Sequence, residues 1–116
     1  MQSNIVVGNA LTDGKEYRGW FMGHFVSPEA DPRSTSAIEV KWVCHQQGDR
    51  RDTWTTGTKA TSLSILVSGR FRLDFAERSV LLAQQGDYVL WTPRVEHSWE
   101  AEADSVILTV RFPSEP

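Results

Sequence analysis

The sequence predicts an all-β fold, a single antiparallel sandwich or barrel. Polar and apolar residues alternate along several short segments, as they do in strands whose successive side chains face opposite sides of a sheet. Turn residues separate these segments at short intervals, and no stretch shows the repeat of a long amphipathic helix. With 116 residues, the chain has the length of one domain with one core.

The alternation defines the individual strands. In 38–45, every second residue from Ile38 is apolar, whereas Glu39, Lys41 and His45 share the opposite face. In 105–112, Val106, Leu108, Val110 and Phe112 lie on one side and Ser105, Ile107, Thr109 and Arg111 on the other. Further strands are predicted at 62–68, 70–75 and 88–92, with a short one at 81–83. Turn signals at 47–49, 57, 68–69, 85–87 and 93 lie between them.

Composition narrows the class of function. Hydrophobic residues make up 40% and charged residues 23%, the balance of a folded soluble protein. The net charge of -3 offers no broad positive field, so we expect no nucleic-acid partner. No stretch approaches the roughly 20 apolar residues of a membrane helix, so we expect no membrane partner. Cys44 is the only cysteine, and the first twelve residues lack a basic and apolar leader, so we expect a cytoplasmic protein.

The N-terminal third differs from the rest. We expect residues 1–36 to form a strand and loop segment that packs on the barrel or on a dimer partner, and residues 37–116 to form the barrel, as one domain overall. The segment 17–25 is rich in aromatic residues, including Trp20 and Phe21. Pairing of such edge segments would remove an exposed sheet edge. We therefore expect a homodimer.

Two glycine-bounded segments carry a family resemblance. The run from Gly86 to His97 resembles the second motif of the cupin superfamily, with Arg94 where the turn glycine is usual. Gly48 and Gly69 are similar to the two ends of the first motif. The resemblance covers residues from about 40 to 112, and it implies an antiparallel jelly-roll β-barrel.

The resemblance also implies where a metal would lie. Its first motif supplies two histidines and a glutamate, and the corresponding positions here hold Trp54, Thr56 and Ser62. Only His97 remains of the four expected ligands, and first-row metals need several strong N or O donors at once. We therefore expect no tightly bound metal or other cofactor. A weakly bound divalent metal on His97 and His45 is the alternative.

The remaining candidate residues indicate a binding site for a small organic molecule. The chain has five tryptophans, and indoles near a barrel mouth can enclose a flat or apolar ligand. Arg51 follows the Gly48 turn and can hold a carboxylate or phosphate through its guanidinium fork. If the Ser62 face points inward, hydroxyl groups line the lumen. The predicted ligand-binding residues are Arg51, Trp54, Thr56, Ser62, Ser64, Trp91 and Trp99.

Two other function classes stay open. His97 is the candidate catalytic residue of an enzyme, either a metal-independent isomerase, epimerase or cyclase with His97 as acid or base, or a metal-dependent oxygenase with His97 and His45. A structural role would require a lumen filled by side chains. The sequence alone therefore predicts a small-molecule-binding barrel and leaves catalysis undecided.

Overall fold

The computed structural model describes residues 4–116, which form two antiparallel sheets and confirm the all-β jelly-roll fold. The strands are β1 (Trp20–Met22), β2 (Glu39–His45), β3 (Thr61–Ser68), β4 (Phe71–Phe75), β5 (Ser79–Leu82), β6 (Tyr88–Trp91), β7 (His97–Ala101) and β8 (Ser105–Phe112). A short helix, α1 (Ala10–Asp13), and one 3-10 turn (Lys15–Tyr17) precede them. Within the described part, no helix is long and apolar enough to cross a bilayer.

The two sheets have five and three strands. The larger one has the order β1-β2-β8-β3-β6, and the smaller one β5-β4-β7. Most strands lie where alternation predicts them, but β7 and α1 were not predicted. Strand β7 consists of His97, Ser98, Trp99, Glu100 and Ala101, and it lacks β-branched residues. Its pairing with all five residues of β4 makes it a strand in spite of this composition.

A loop segment beside β7 completes the wall of the barrel near the site. The amide of Arg51 donates to the carbonyl of Trp99 at 3.0 Å, and the amide of Thr55 donates to the carbonyl of His97 at 2.8 Å. The hydroxyl of Ser98 donates to the carbonyl of Arg51 at 2.7 Å. The segment between β2 and β3 therefore runs along β7 like an irregular strand and is fixed by its backbone.

The interior of the barrel has an apolar end and a polar end. The buried core cluster fills the apolar end. Its members are Leu66, Phe71, Leu73, Leu82, Ala101 and Ile107. At the polar end, Ser62 pairs across the sheet with Arg111, and Ser64 pairs with Thr109. Ser62, Ser64 and Thr109 are buried, so the hydroxyl-bearing face of these strands points inward. The apolar face of β3 and β8 instead points outward, with its residues half-buried except for the exposed Phe112.

The turn before β7 keeps the geometry that glycine usually supplies. Arg94 has φ 67°, in the left-handed region, which costs a non-glycine residue about 1–2 kcal/mol. Its amide donates to the carbonyl of Thr58 at 2.7 Å. A side chain at Gly57 would approach the backbone of Arg94 within 2.6 Å. The two loops are therefore packed closely enough to hold Arg94 in this conformation.

The aromatic N-terminal segment packs within its own chain. Strand β1 pairs with β2, and the ring of Trp20 lies against Lys41 and Arg111. The rings of Tyr17 and Phe25 are 5.0 Å apart. The aromatic segment therefore makes contacts within its own chain, while Tyr17 stays exposed and Trp20, Phe21 and Phe25 are half-buried.

Candidate functional site

A cavity of about 470 Å³ opens at the polar end of the barrel. Strands β1, β2, β3, β6, β7 and β8 contribute to its walls, together with the loop beside β7. The side chains that carry chemistry there are Arg18, Trp20, Lys41, Arg51, Trp54, Thr55, Thr56, Thr58, Ser62, Trp91, His97 and Arg111. We call this space the lumen site.

The lumen site is strongly cationic. Four of its lining residues carry positive side chains: Arg18, Lys41, Arg51 and Arg111. Glu39 partly compensates them, since its carboxylate lies 3.8 Å from the guanidinium of Arg111. The Nε atom of Arg111 is buried and has no hydrogen-bond partner within the described residues. A buried donor without a partner is costly, so Arg111 favours a ligand that brings an acceptor.

Two of these cations lie over the indole ring of Trp20. The Lys41 Nζ atom lies 4.9 Å from the centroid of the Trp20 ring, and the Arg111 Cζ atom lies 4.7 Å from it. Such cation–π contacts offset part of the cost of removing the charges from water. Strand β1 therefore brings a stabilising ring over a pair of like charges.

Burial and the neighbouring positive charges lower the pKa values of two cations in the lumen site. Burial and the positive charges of Arg111, Arg51 and Arg18 lower the pKa of Lys41 to about 8, although Glu39 acts in the opposite direction. Burial also lowers the pKa of the Arg111 guanidinium. Both shifts mean that the lumen site disfavours positive charge and that an anion would relieve this.

His97 lies in the same cavity, held by Thr55. The Oγ1 atom of Thr55 is 3.0 Å from Nδ1 of His97. Burial, and then the charges of Arg51, Arg111 and Lys41, lower the pKa of His97 to about 4. The ring packs against Trp91 with centroids 4.7 Å apart. His97 is therefore a neutral imidazole at physiological pH, suited to hydrogen bonding and weak as a base.

The metal ligands of the cupin motif have no substitutes here. The four corresponding positions do converge on the lumen site, but they hold Trp54, Thr56, Ser62 and His97. No group of three His, Cys, Asp or Glu side chains suited to a metal occurs among residues 4–116. One imidazole among several cations does not fit a divalent ion, because the remaining donors are weak and the charges repel it.

The structure brings most of the predicted ligand-binding residues together. Arg51, Trp54, Thr56, Ser62 and Trp91 all line the lumen site, and so does His97, the candidate catalytic residue. Ser64 lies deeper and shares a 2.9 Å hydrogen bond with Thr109. Trp99 packs against the core cluster and contacts His45 at 4.5 Å between centroids. Ser64 and Trp99 are therefore outside the lumen site.

His45 and His97 do not meet. His45 stacks on Phe71 and is tilted against Trp99, toward the apolar end, whereas His97 contacts Phe75 and Trp91. Burial is the main cause that lowers the pKa of His45. A metal site that joins the two histidines is therefore not supported by this arrangement.

Four functional candidates were missed by sequence reasoning: Arg18, Trp20, Lys41 and Arg111. Charged residues on an alternating strand ordinarily face solvent, so these residues are not expected in the interior of the barrel. Two of them can be identified from the face of the sheet on which they lie. Arg111 and Lys41 share the face of Thr109, and Thr109 shares the inward face of Ser64.

A second, more apolar groove adjoins the lumen site. It has a volume of about 870 Å³ and lies between the β4–β5 turn, strand β6 and the loop before β7. Trp54, Trp91 and Val95 line both spaces. The larger groove lacks convergent buried polar groups, so the lumen site is the candidate functional site and the groove is its apolar neighbour.

Comparisons with solved structures agree with this architecture. The chain is similar to KdgF from Halomonas sp., with 20% identity over 70% of this chain and 74% of that one, at a TM-score of 0.62. A cupin superfamily protein from Desulfitobacterium hafniense is 10% identical over 69% of this chain and 71% of its own, with a TM-score of 0.62. An RmlC-like cupin from Shewanella frigidimarina is 15% identical over 69% of each chain, with a TM-score of 0.60.

These likenesses show that the chain has the cupin fold. At such identities they establish the fold alone and carry no statement about ligand or reaction. No protein-family model matches the sequence, and no curated protein does.

Proposed function

We propose that this cupin-fold protein binds a small organic acid in the lumen site, without a tightly held metal. The observation that carries the proposal is the cluster of cations at the lumen site. It consists of the half-buried Arg111, whose buried Nε lacks a partner among the described residues, and of Lys41, Arg51 and Arg18. A carboxylate would accept from Arg111 and compensate the surrounding charge. Trp54 and Trp91 offer apolar surface for the rest of the ligand.

Catalysis by His97 is the alternative, and it has less support. A general base works best with a pKa near the operating pH, and the pKa of His97 is about 4. A neutral ring that is fixed by Thr55 is better suited to orient a bound acid through one hydrogen bond. An oxygenase that uses His45 and His97 has the least support, because the two rings lie in different parts of the barrel.

Calorimetric titration with phenyllactate tests the binding function. This probe has a carboxylate for the cations and a ring for the indoles. We expect it to bind, whereas 3-phenyl-1,2-propanediol, which has an alcohol in place of the acid, should not. The Arg111→Met variant should bind phenyllactate at least about tenfold more weakly, since a hydrogen bond to a charged group contributes roughly 1.5–3 kcal/mol.

Two controls separate binding from folding. Arg70→Met removes an arginine that pairs with Glu102 at the exposed surface, and it should leave the affinity unchanged. Glu39→Gln combined with Arg111→Met avoids an unpaired buried carboxylate and should still bind weakly. Equal affinity of the wild type and both Arg111 variants would contradict the proposal.

We propose a homodimer that uses the outer face of the larger sheet. Leu63, Ile65, Leu108 and Val110 are half-buried there, and Tyr88 at the edge is 67% exposed. We expect light scattering to give twice the 13.1 kDa chain mass at micromolar concentration, and Leu108→Lys to shift it to the monomer. A wild-type monomer would contradict this proposal. We also propose that residues 4–36 belong to the same domain, since β1 extends the sheet; residues 1–3 of the expected N-terminal segment lie outside the described residues. We further propose that the protein is cytoplasmic.

A further inference from the structure

Lys41 differs from an ordinary surface lysine in its surroundings. It lines the lumen site, and among residues 4–116 it forms no ion pair with a carboxylate. On the sheet it lies directly opposite Thr109, while Arg111 occupies the next inward position of the same neighbouring strand. Lys41 and Arg111 both lie over the ring of Trp20. An amine and an anion-binding guanidinium therefore lie side by side in one cavity.

The charge state of this amine follows from the same neighbours. Every charged group that faces it except Glu39 is cationic, and with burial they hold the pKa of Lys41 at about 8. At about pH 7.5, roughly a quarter of the Lys41 side chains are then neutral amines, compared with well under 1% for an unperturbed lysine. The neutral amine is the nucleophilic form, and neighbouring cations are one recognised means of producing it.

We propose that Lys41 forms a Schiff base with a 2-oxo acid whose carboxylate is held by Arg111. This rests on the proposed binding of organic acids and adds the substrate class. A 2-oxo acid carries its carbonyl beside its carboxylate, which suits an amine beside a guanidinium. The tryptophans of the lumen accommodate its side chain.

The step is balanced without a cofactor. The Nζ lone pair attacks the carbonyl carbon, a carbon–nitrogen bond forms, and the carbonyl oxygen takes the π electrons. The two amine protons and that oxygen then leave as water, so the product is an imine and nothing is oxidised or reduced. The carboxylate of the bound acid compensates the positive charge when the imine is protonated.

Reductive trapping with phenylpyruvate and cyanoborohydride tests the proposal. The trapped adduct adds the mass of phenylpyruvic acid less one oxygen atom. The chain has three lysines, Lys15, Lys41 and Lys59, so peptide mapping assigns the adduct without ambiguity. We expect one adduct, on Lys41, formed with a pH midpoint near 8. Lys41→Arg should form none, whereas Lys59→Arg should react like the wild type.

The outcomes distinguish the Schiff base from the proposed binding of organic acids on which it rests. Phenyllactate has a hydroxyl group in place of the carbonyl, so it can bind as an acid but cannot form an imine. If phenyllactate binds and phenylpyruvate leaves no adduct on Lys41, the Schiff base is overturned and the binding function stands. If neither compound binds, both are overturned. An adduct spread over Lys15 and Lys59, with a midpoint typical of free lysine, would also overturn the assignment.

Discussion

Replacing Ser62 by glutamate should abolish the binding of organic acids and raise the melting temperature relative to a Ser62→Gln variant. Ser62 is buried, lines the lumen site and pairs across the sheet with Arg111. A carboxylate at this position would place a fixed anion among Arg111, Lys41 and Arg51. It would compete with the ligand and relieve the mutual repulsion of the cations.

The expected size of this effect is large. Bringing a second carboxylate against a fixed one costs several kcal/mol, so phenyllactate affinity should fall at least roughly 100-fold. Glutamine has almost the same volume and no charge, so Ser62→Gln reports the effect of size alone. Calorimetry and melting curves of both variants decide the matter. Equal affinities and equal melting temperatures would mean that charge in the lumen does not govern binding.

The free energy of unfolding should rise between pH 8 and 10.5 because of Lys41. The pKa of this side chain is about 8 in the fold and 10.5 as a model value. Within that window the unfolded chain keeps a proton that the folded chain has lost, so stability increases with pH. Below the window both states are protonated, and the full cost of the buried charge applies. The whole shift corresponds to at most about 3 kcal/mol.

The Lys41→Met variant is the reference for this measurement. It should be more stable than the wild type at about pH 7, and the two should converge toward about pH 10. Urea unfolding of both proteins at the two pH values gives the comparison, and other titrating groups cancel in the difference. A difference that stays constant across the window would show that Lys41 is solvated like a surface lysine.

The fold was predictable because it depends on local patterns. Alternation located β2, β3, β4, β6 and β8, the turns between them indicated an antiparallel sandwich or barrel, and the resemblance to the cupin motifs implied the jelly roll. Strand β7 was missed because its stability comes from its partners, β4 and the loop carrying Arg51 and Thr55, and these partners are distant in sequence. Pairing partners cannot be read from the composition of one strand.

The site was predictable in position but not in charge. The motif placed Trp54, Thr56, Ser62 and His97 around one cavity, because β3 and β7 carry two of them and the loop bonded along β7 carries the other two. The motif says nothing about Lys41 or Arg111, which lie outside it. Their inward orientation is a consequence of which sheet face is buried, and in this barrel the polar face is the buried one.

The contribution of β1 has a consequence for how such barrels diversify. Trp20 and Arg18 come from the segment that precedes the barrel motifs, and they form one wall of the lumen site. Trp20 touches Lys41 and Arg111 and is not part of the core cluster. Changes at Trp20 can therefore reshape this wall of the lumen site while the apolar packing of the core cluster stays intact. The other walls lie on the strands that build the barrel, so this short segment is the part of the site that can vary with the least effect on folding.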